Sequence, residues 1–234
     1  MMSIRLKFIK GYETKYISHL DLMRTFQRAI RRAGIPINYS KGFNPHPKMS
    51  FASALGIGLT SKGEYLDLVV EDEISGEEIM KRLNEYLPKG LRVIDAVTLE
   101  DKAKSAMSLV THARYYMKLN FKHGIDIEKS LSDFLNSDVI TVFKEQPKKN
   151  FQTVEVDIKP MIKEIKVLSK KGKSQIILDC LLASGSKANL KPQLLIDAIK
   201  NHIGSTFEVE SIERIELYAD RKGQFIPLLS IDNR

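Results

Sequence analysis

Two short capping sequences constrain this chain more than any other feature. Ser18 followed three residues later by Asp21, and Ser75 followed by Glu78, are capping boxes. In each, a hydroxyl accepts an otherwise unpaired N–H of a first helical turn and a carboxylate answers it. Ahead of the first lies SIRLKFIK, whose alternation predicts a strand over 3–10. The helix after it runs to about 33, where Gly34 stops it. PINYSKGFNPHPKMSFASAL is too rich in Pro and Gly for a helix and predicts short extended pieces flanking a loop at 41–48. GEYLDLVVED predicts a strand over 64–71. Ser75 opens a helix to Leu87, ended by Pro88 and Gly90, and LRVIDAVTL supplies a strand over 91–99.

The stretch EDKAKSAMS is polar, without periodicity, and reads as linker. After it the order returns: ARYYMKLNF as strand, a helix begun by Asp126, and VITVFKE as strand. An irregular segment through 146–161 precedes a hairpin across Lys170–Lys173 and a strand ending near Leu182. A helix with Pro192 in its first turn and a strand through IERIELYA close the pattern. Both halves fit βαββαβ. The expected fold class is α+β, two ferredoxin-like domains in tandem: 1–100, a linker at 101–111, and 112–234.

No apolar stretch approaches the roughly 18 residues a membrane helix needs, and MMSIRLKFIK lacks the apolar core of a secretory signal. The expectation is a cytoplasmic protein with no membrane association. The single cysteine, Cys180, allows neither an internal disulfide nor a multi-cysteine metal site, and within IILDCLLA it reads as a buried small hydrophobe. No Walker loop, GxGxxG, HExxH or GxSxG occurs, so no cofactor or metal is expected in this chain.

The net charge of +8 is local. Residues 1–60 hold ten Lys/Arg against two Asp/Glu, while the remainder balances 27 against 27. A local excess marks a candidate surface for phosphates or an acidic partner. On the first helix, Leu22, Phe26, Ala29, Ile30 and Ala33 form one apolar stripe, leaving Arg24, Arg28, Arg31 and Arg32 together on the opposite side. Guanidinium matches phosphate bidentately. The alternative is a solvated face, or one salt-bridged to Glu71, Asp72 and Glu73. The loop Tyr39–Phe51 interleaves Lys41, Phe43, His46 and Lys48 with aromatics, a pattern suited to single-stranded nucleic acid. The alternative there is a proline-stiffened hairpin with Phe43 and Phe51 tucked into the core. His19 and His46 are the candidate acid and base if RNA is cleaved through its 2′-OH. His112, His123 and His202 are scattered and lack ligand spacing.

The run YISHLDLMRTFQRAIRRAGIPINYSKGFNPHPKMSFASALGIGLTSKGEYLDL resembles the bacterial radical-SAM-linked family, a domain of unknown function found beside or fused to a B12-type radical SAM protein. The resemblance continues loosely through VEVDIKPMI and KPQLLIDAI. It implies a radical SAM partner; the CxxxCxxC cradle is absent here, so an iron–sulfur cluster would sit in that partner. A more distant likeness, at the level of fold, is to the CRISPR repeat-processing endoribonucleases. Three functions follow as expectations: a non-catalytic RNA-binding or substrate-presenting accessory, a metal-independent endoribonuclease, or a protein-docking module.

Overall fold

The computed structural model describes residues 1–71, 73–122, 126–146, 152–171, 174–204 and 206–231. The chain forms two compact units, Met1–Ala113 with Glu213–Arg234, and Arg114–Ile212. Each is a mixed α+β unit on a mostly antiparallel sheet.

The first unit opens with β1 (Met2–Lys10), α1 (His19–Arg32), β2 (Met49–Phe51), β3 (Thr60–Val70), α2 (Gly76–Tyr86), β4 (Leu91–Leu99) and a short α3 (Ala106–Leu109). β1 lies between β3 and β4, antiparallel to both, and β2 pairs antiparallel with β3. Both serine caps form. Ser18 Oγ accepts the Asp21 N–H at 3.1 Å and donates to its carboxylate at 2.7 Å. Ser75 Oγ accepts the Glu78 N–H at 3.1 Å. One sheet face presents Ile4, Leu6 and Phe8 with Leu66, Leu68 and Val70, and the apolar stripes of α1 and α2 cover it. Phe26 of α1 packs edge-on against Phe8 at 4.9 Å and Phe51 at 5.6 Å, fixing the helix over β1 and β2. Each ring so buried contributes roughly 1.5–3 kcal/mol.

The expected linker is packed chain. Arg5, on the opposite face of β1, is 0% exposed. It donates to the Asp67 carboxylate at 2.8 and 3.2 Å, to the Lys104 carbonyl at 2.8 Å and to the Leu228 carbonyl at 3.3 Å. Asp67 also accepts the Ala106 N–H at 2.7 Å. A buried guanidinium is tolerated only when its donors are met. The Lys104 carbonyl helps meet that demand and the Ala106 N–H bonds the carboxylate that shares it, so both residues are held against the sheet.

The chain enters the second unit within β5 (His112–Phe121) and continues through α4 (Ile127–Asn136), β6 (Thr141–Gln146), β7 (Gln152–Asp157), β8 (Ile162–Lys171), β9 (Gln175–Ala183) and α5 (Pro192–Ile203). It leaves within β10 (Phe207–Arg221). Asp126 caps α4 by accepting the Lys129 N–H at 3.2 Å, and Pro192 stands in the first turn of α5. The strand order is β10-β5-β9-β8. VITVFKE, expected as the second strand of this sheet, instead forms β6 and pairs with β7 in a separate two-stranded sheet. β8 takes the place beside β9 because the two are consecutive in sequence, with Lys171 opposite Gln175, and their pairing occupies the free edge of β9. Gly172 and Lys173 of the expected turn lie outside the described residues. Cys180 is wholly buried, and burial pushes its thiol well above the ordinary range, so it is an inert part of the core.

From Glu213 onward the chain rejoins the first unit, ending in β11 (Gln224–Pro227), which pairs with β10. Residues 213–231, expected within the second domain, therefore pack with the first. β10 runs parallel to β3, with Glu213 opposite Thr60 and Arg214 opposite Ser61. A Cβ on Gly63 would stand 2.6 Å from the Ile215 carbonyl oxygen, so only glycine allows this approach. Buried charges complete the seam. Arg214 Nη1 meets both Glu64 oxygens at 3.0 Å and its Nη2 donates to the Ala54 carbonyl at 3.0 Å. Tyr65 donates to Glu216 at 2.6 Å, and Glu216 also pairs with Lys7. Lys10, buried beside this cluster, donates to the carbonyls of Lys15 and Ile17 at 3.2 and 3.3 Å. Desolvation holds its ammonium below the ordinary lysine pKa, against the pull of Glu64.

Candidate nucleic-acid interface

α1 docks by its apolar stripe, so its other side faces water, and Arg24, Arg28, Arg31 and Arg32 are all exposed there. Arg24 lies 3.5 Å from the Asp21 carboxylate, and both groups are more than half exposed, a contact that solvent and salt weaken. Arg28, Arg31 and Arg32 make no ion pair with any carboxylate among the described residues. Of the acidic run that is the alternative partner, Glu71 accepts from Asn38 Nδ2 at 3.2 Å, neither it nor Glu73 pairs with these arginines among the described residues, and Asp72 lies outside them. Arg31 and Arg32 stand in the last turn, where the helix dipole favours cations, so these two like charges cost the helix little.

The loop is a stapled hairpin. Tyr39 and Pro47 form a bridge, and the Ser40 N–H donates to the His46 carbonyl at 2.8 Å. The His46 N–H donates to Ser40 Oγ at 2.9 Å. At the base the Lys48 N–H donates to the Asn38 carbonyl at 2.7 Å, and the Val69 N–H of β3 donates to the Lys48 carbonyl at 3.0 Å. Gly42 turns the tip at φ +128°, a value that excludes other side chains. Lys41, Phe43, His46 and Lys48 are exposed, Phe43 completely. The two phenylalanines thus have opposite fates, since Phe51 is in the core. Phe51 also ties loop to helix, touching Phe26 at 5.6 Å and His19 at 5.3 Å. The arginine face and the foot of the loop therefore belong to neighbouring elements of one unit.

His19 is half-buried with its ring edge-on to Phe51, while His46 is exposed at the end of the loop. Among the described residues no hydrogen bond joins either imidazole to an acid or base. His112 stacks edge-on to Phe225 at 4.5 Å and bonds Thr111; His202 packs on Phe134 at 5.4 Å. His123 lies outside the described residues. No group of three His, Cys, Asp or Glu able to hold a metal occurs among the described residues, and no helix is long and apolar enough to cross a membrane.

Reasoning from sequence passed over one cluster. In GYETKYISH the Lys15 ammonium stands 3.7 Å from the Tyr12 ring centroid and 4.9 Å from that of Tyr16. The signal was present: aromatics alternating with a cation, as in the loop at 39–51.

Fold and surface define a mixed α+β protein carrying an exposed arginine face on α1 and an exposed loop with two lysines. The family described as "Uncharacterized protein conserved in bacteria (DUF2344)" matches over residues 3–192, and the chain belongs to it. No curated protein matches the sequence. Among solved structures, the chain is similar to one in "Crystal Structure of a Cbf5-Nop10-Gar1 Complex", at 10% identity over 92% of this chain and 48% of that one, TM-score 0.49. It is similar to another in "Structure of H/ACA RNP bound to a substrate RNA containing 2'-deoxyuridine", at 10% identity over 95% and 47%, TM-score 0.47. A third, "Crystal structure of putative glycine cleavage system transcriptional repressor", gives 11% identity over 91% and 98%, TM-score 0.24. The chain spans about half the length of the first two. Likenesses of this degree assign no activity.

Proposed function

We propose that this protein is a non-catalytic RNA-binding or substrate-presenting accessory to a radical SAM enzyme, and that its units are two ferredoxin-like folds. The fold reading is supported by the first unit, where βαββαβ is laid out as β4-β1-β3-β2, all antiparallel. In the second unit the same plan holds if the β6-β7 hairpin is taken as an insertion. The radical SAM partner rests on the resemblance of the run from Tyr16 to Leu68. With Cys180 buried, this chain offers no thiolate for an iron–sulfur cluster, so on this reading the partner holds it.

One observation carries the RNA reading: Arg28, Arg31 and Arg32 stand on one exposed helix face without a carboxylate partner among the described residues. Surfaces that serve only solubility mix signs. Lys41 and Lys48 extend the charge, and Phe43 offers a free ring for a base. If those five cations each neutralise one phosphate of a single strand, log affinity plotted against log salt has a slope of about −3.5. Titration of a labelled oligouridylate at several salt concentrations measures that slope. A flat plot contradicts phosphate binding.

A further inference from the structure

We propose that the N-terminal end of the arginine stripe is a base-stacking ledge for single-stranded nucleic acid, built from Tyr12 and Tyr16 and bordered by Leu20 and Ile57. The inference rests on the RNA reading above and assigns to that surface a class of ligand, a strand whose bases are unpaired.

Four large apolar side chains stand in water at one end of α1. Tyr12 is 72% exposed, Tyr16 71%, Ile57 63% and Leu20 47%. Tyr12, Tyr16 and the turn bearing Ile57 are neighbours, and Leu20 follows in the first turn of α1. The Lys15 ammonium touches both tyrosine rings, and the Gly58 N–H donates to the Lys15 carbonyl at 2.8 Å. A Cβ on Gly58 would stand 3.9 Å from Tyr16 Cε1, so the turn bearing Ile57 lies beside that ring. A patch of this kind on an otherwise charged surface marks an interaction site.

Charge identifies the occupant. Leu20, Arg24 and Arg28 follow each other at i, i+4 spacing, about 6 Å apart along the helix axis, and Arg31 and Arg32 continue the row. The ledge is therefore the head of a line of cations. An apolar protein segment docking on the tyrosines would have to extend over bare guanidiniums. A single strand meets both halves of the surface, its bases on the rings and its phosphates on the arginines. Lys15 is already seated against both rings, so it reaches a phosphate next to a stacked base with little rearrangement. A base-paired duplex keeps its bases inside and gains nothing from the rings.

The test compares three probes on the intact protein: a labelled oligouridylate, an RNA duplex, and inorganic polyphosphate of similar charge. The proposal predicts that Tyr12→Ser with Tyr16→Ser weakens oligouridylate binding by roughly 5- to 150-fold per ring lost. Binding of polyphosphate and duplex stays unchanged, and Tyr12→Phe with Tyr16→Phe retains wild-type affinity. Unchanged oligouridylate binding by the serine variant overturns the ledge while leaving the arginine surface standing. An equal loss for all three probes also overturns it, since that is the mark of a structural effect. A wild-type protein that binds none of the probes removes both the ledge and the RNA reading.

Discussion

Replacing Arg28, Arg31 and Arg32 with glutamate is expected to reduce single-stranded RNA affinity at least about 100-fold at moderate salt. Each exposed guanidinium–phosphate contact is taken as roughly 1 kcal/mol, and about 1.4 kcal/mol is a factor of ten; reversal adds repulsion to the loss. The salt slope should also flatten, from about −3.5 to about −1.4, because only Lys41 and Lys48 remain of the five unpaired cations. Glutamate in the last turn opposes the helix dipole, so a second variant with glutamine at the same positions separates charge from helix stability. The glutamine variant should show the same flattening with a smaller loss of affinity. The apolar stripe of α1 is untouched by either, and circular dichroism should report unchanged helix content. Full affinity in both variants would refute the assignment of this face.

The largest effect on stability is expected at Arg214. Its side chain and that of Glu64 are almost wholly buried, and Nη1 sits 3.0 Å from both carboxylate oxygens. Arg214→Met leaves Glu64 charged in a dry site and strands the Ala54 carbonyl, a loss of roughly 3–5 kcal/mol. Lys10 is close enough to feel Glu64 and offsets part of that penalty. Combining Glu64→Leu with Arg214→Met removes the orphaned charge, and the double variant should unfold at higher denaturant than Arg214→Met alone. The residual deficit reports on the Ala54 carbonyl, still without its donor, and on Lys10, whose amine then lacks its carboxylate and loses its proton more readily. Chemical denaturation of the wild type and the two variants checks the order.

Local signals carried the elements, and long-range pairing defeated the boundaries. Ser18, Ser75 and Asp126 each accept the N–H that their capping sequence predicted, because a cap is decided within four residues. The arginine face followed from 3.6-residue spacing for the same reason. The alternation in SIRLKFIK marks a strand and nothing more, yet Arg5 within it is sealed by chain about 100 and 220 residues away. Arg214 finds Glu64, and Glu216 finds Tyr65, across some 150 residues. No window of sequence contains such a pair, so residues 101–111 read as a linker and 213–234 as part of the second domain. The misplaced strand has a related cause. VITVFKE has strand chemistry and is a strand, but its partner is set by competition, since β8, next to β9 in sequence, takes that edge. At the surface, composition drew attention to Tyr39–Phe51 and passed over Tyr12–Tyr16, because the shorter cluster holds a single cation between its rings.

Ultraviolet crosslinking in cells, followed by sequencing of the bound nucleic acid and mass spectrometry of the crosslinked peptides, tests the central claim most directly. The account predicts RNA joined to peptides from α1, the Tyr39–Phe51 hairpin and the Tyr12–Tyr16 turn. Protein recovered free of RNA, or RNA attached only to the Arg114–Ile212 unit, would contradict it.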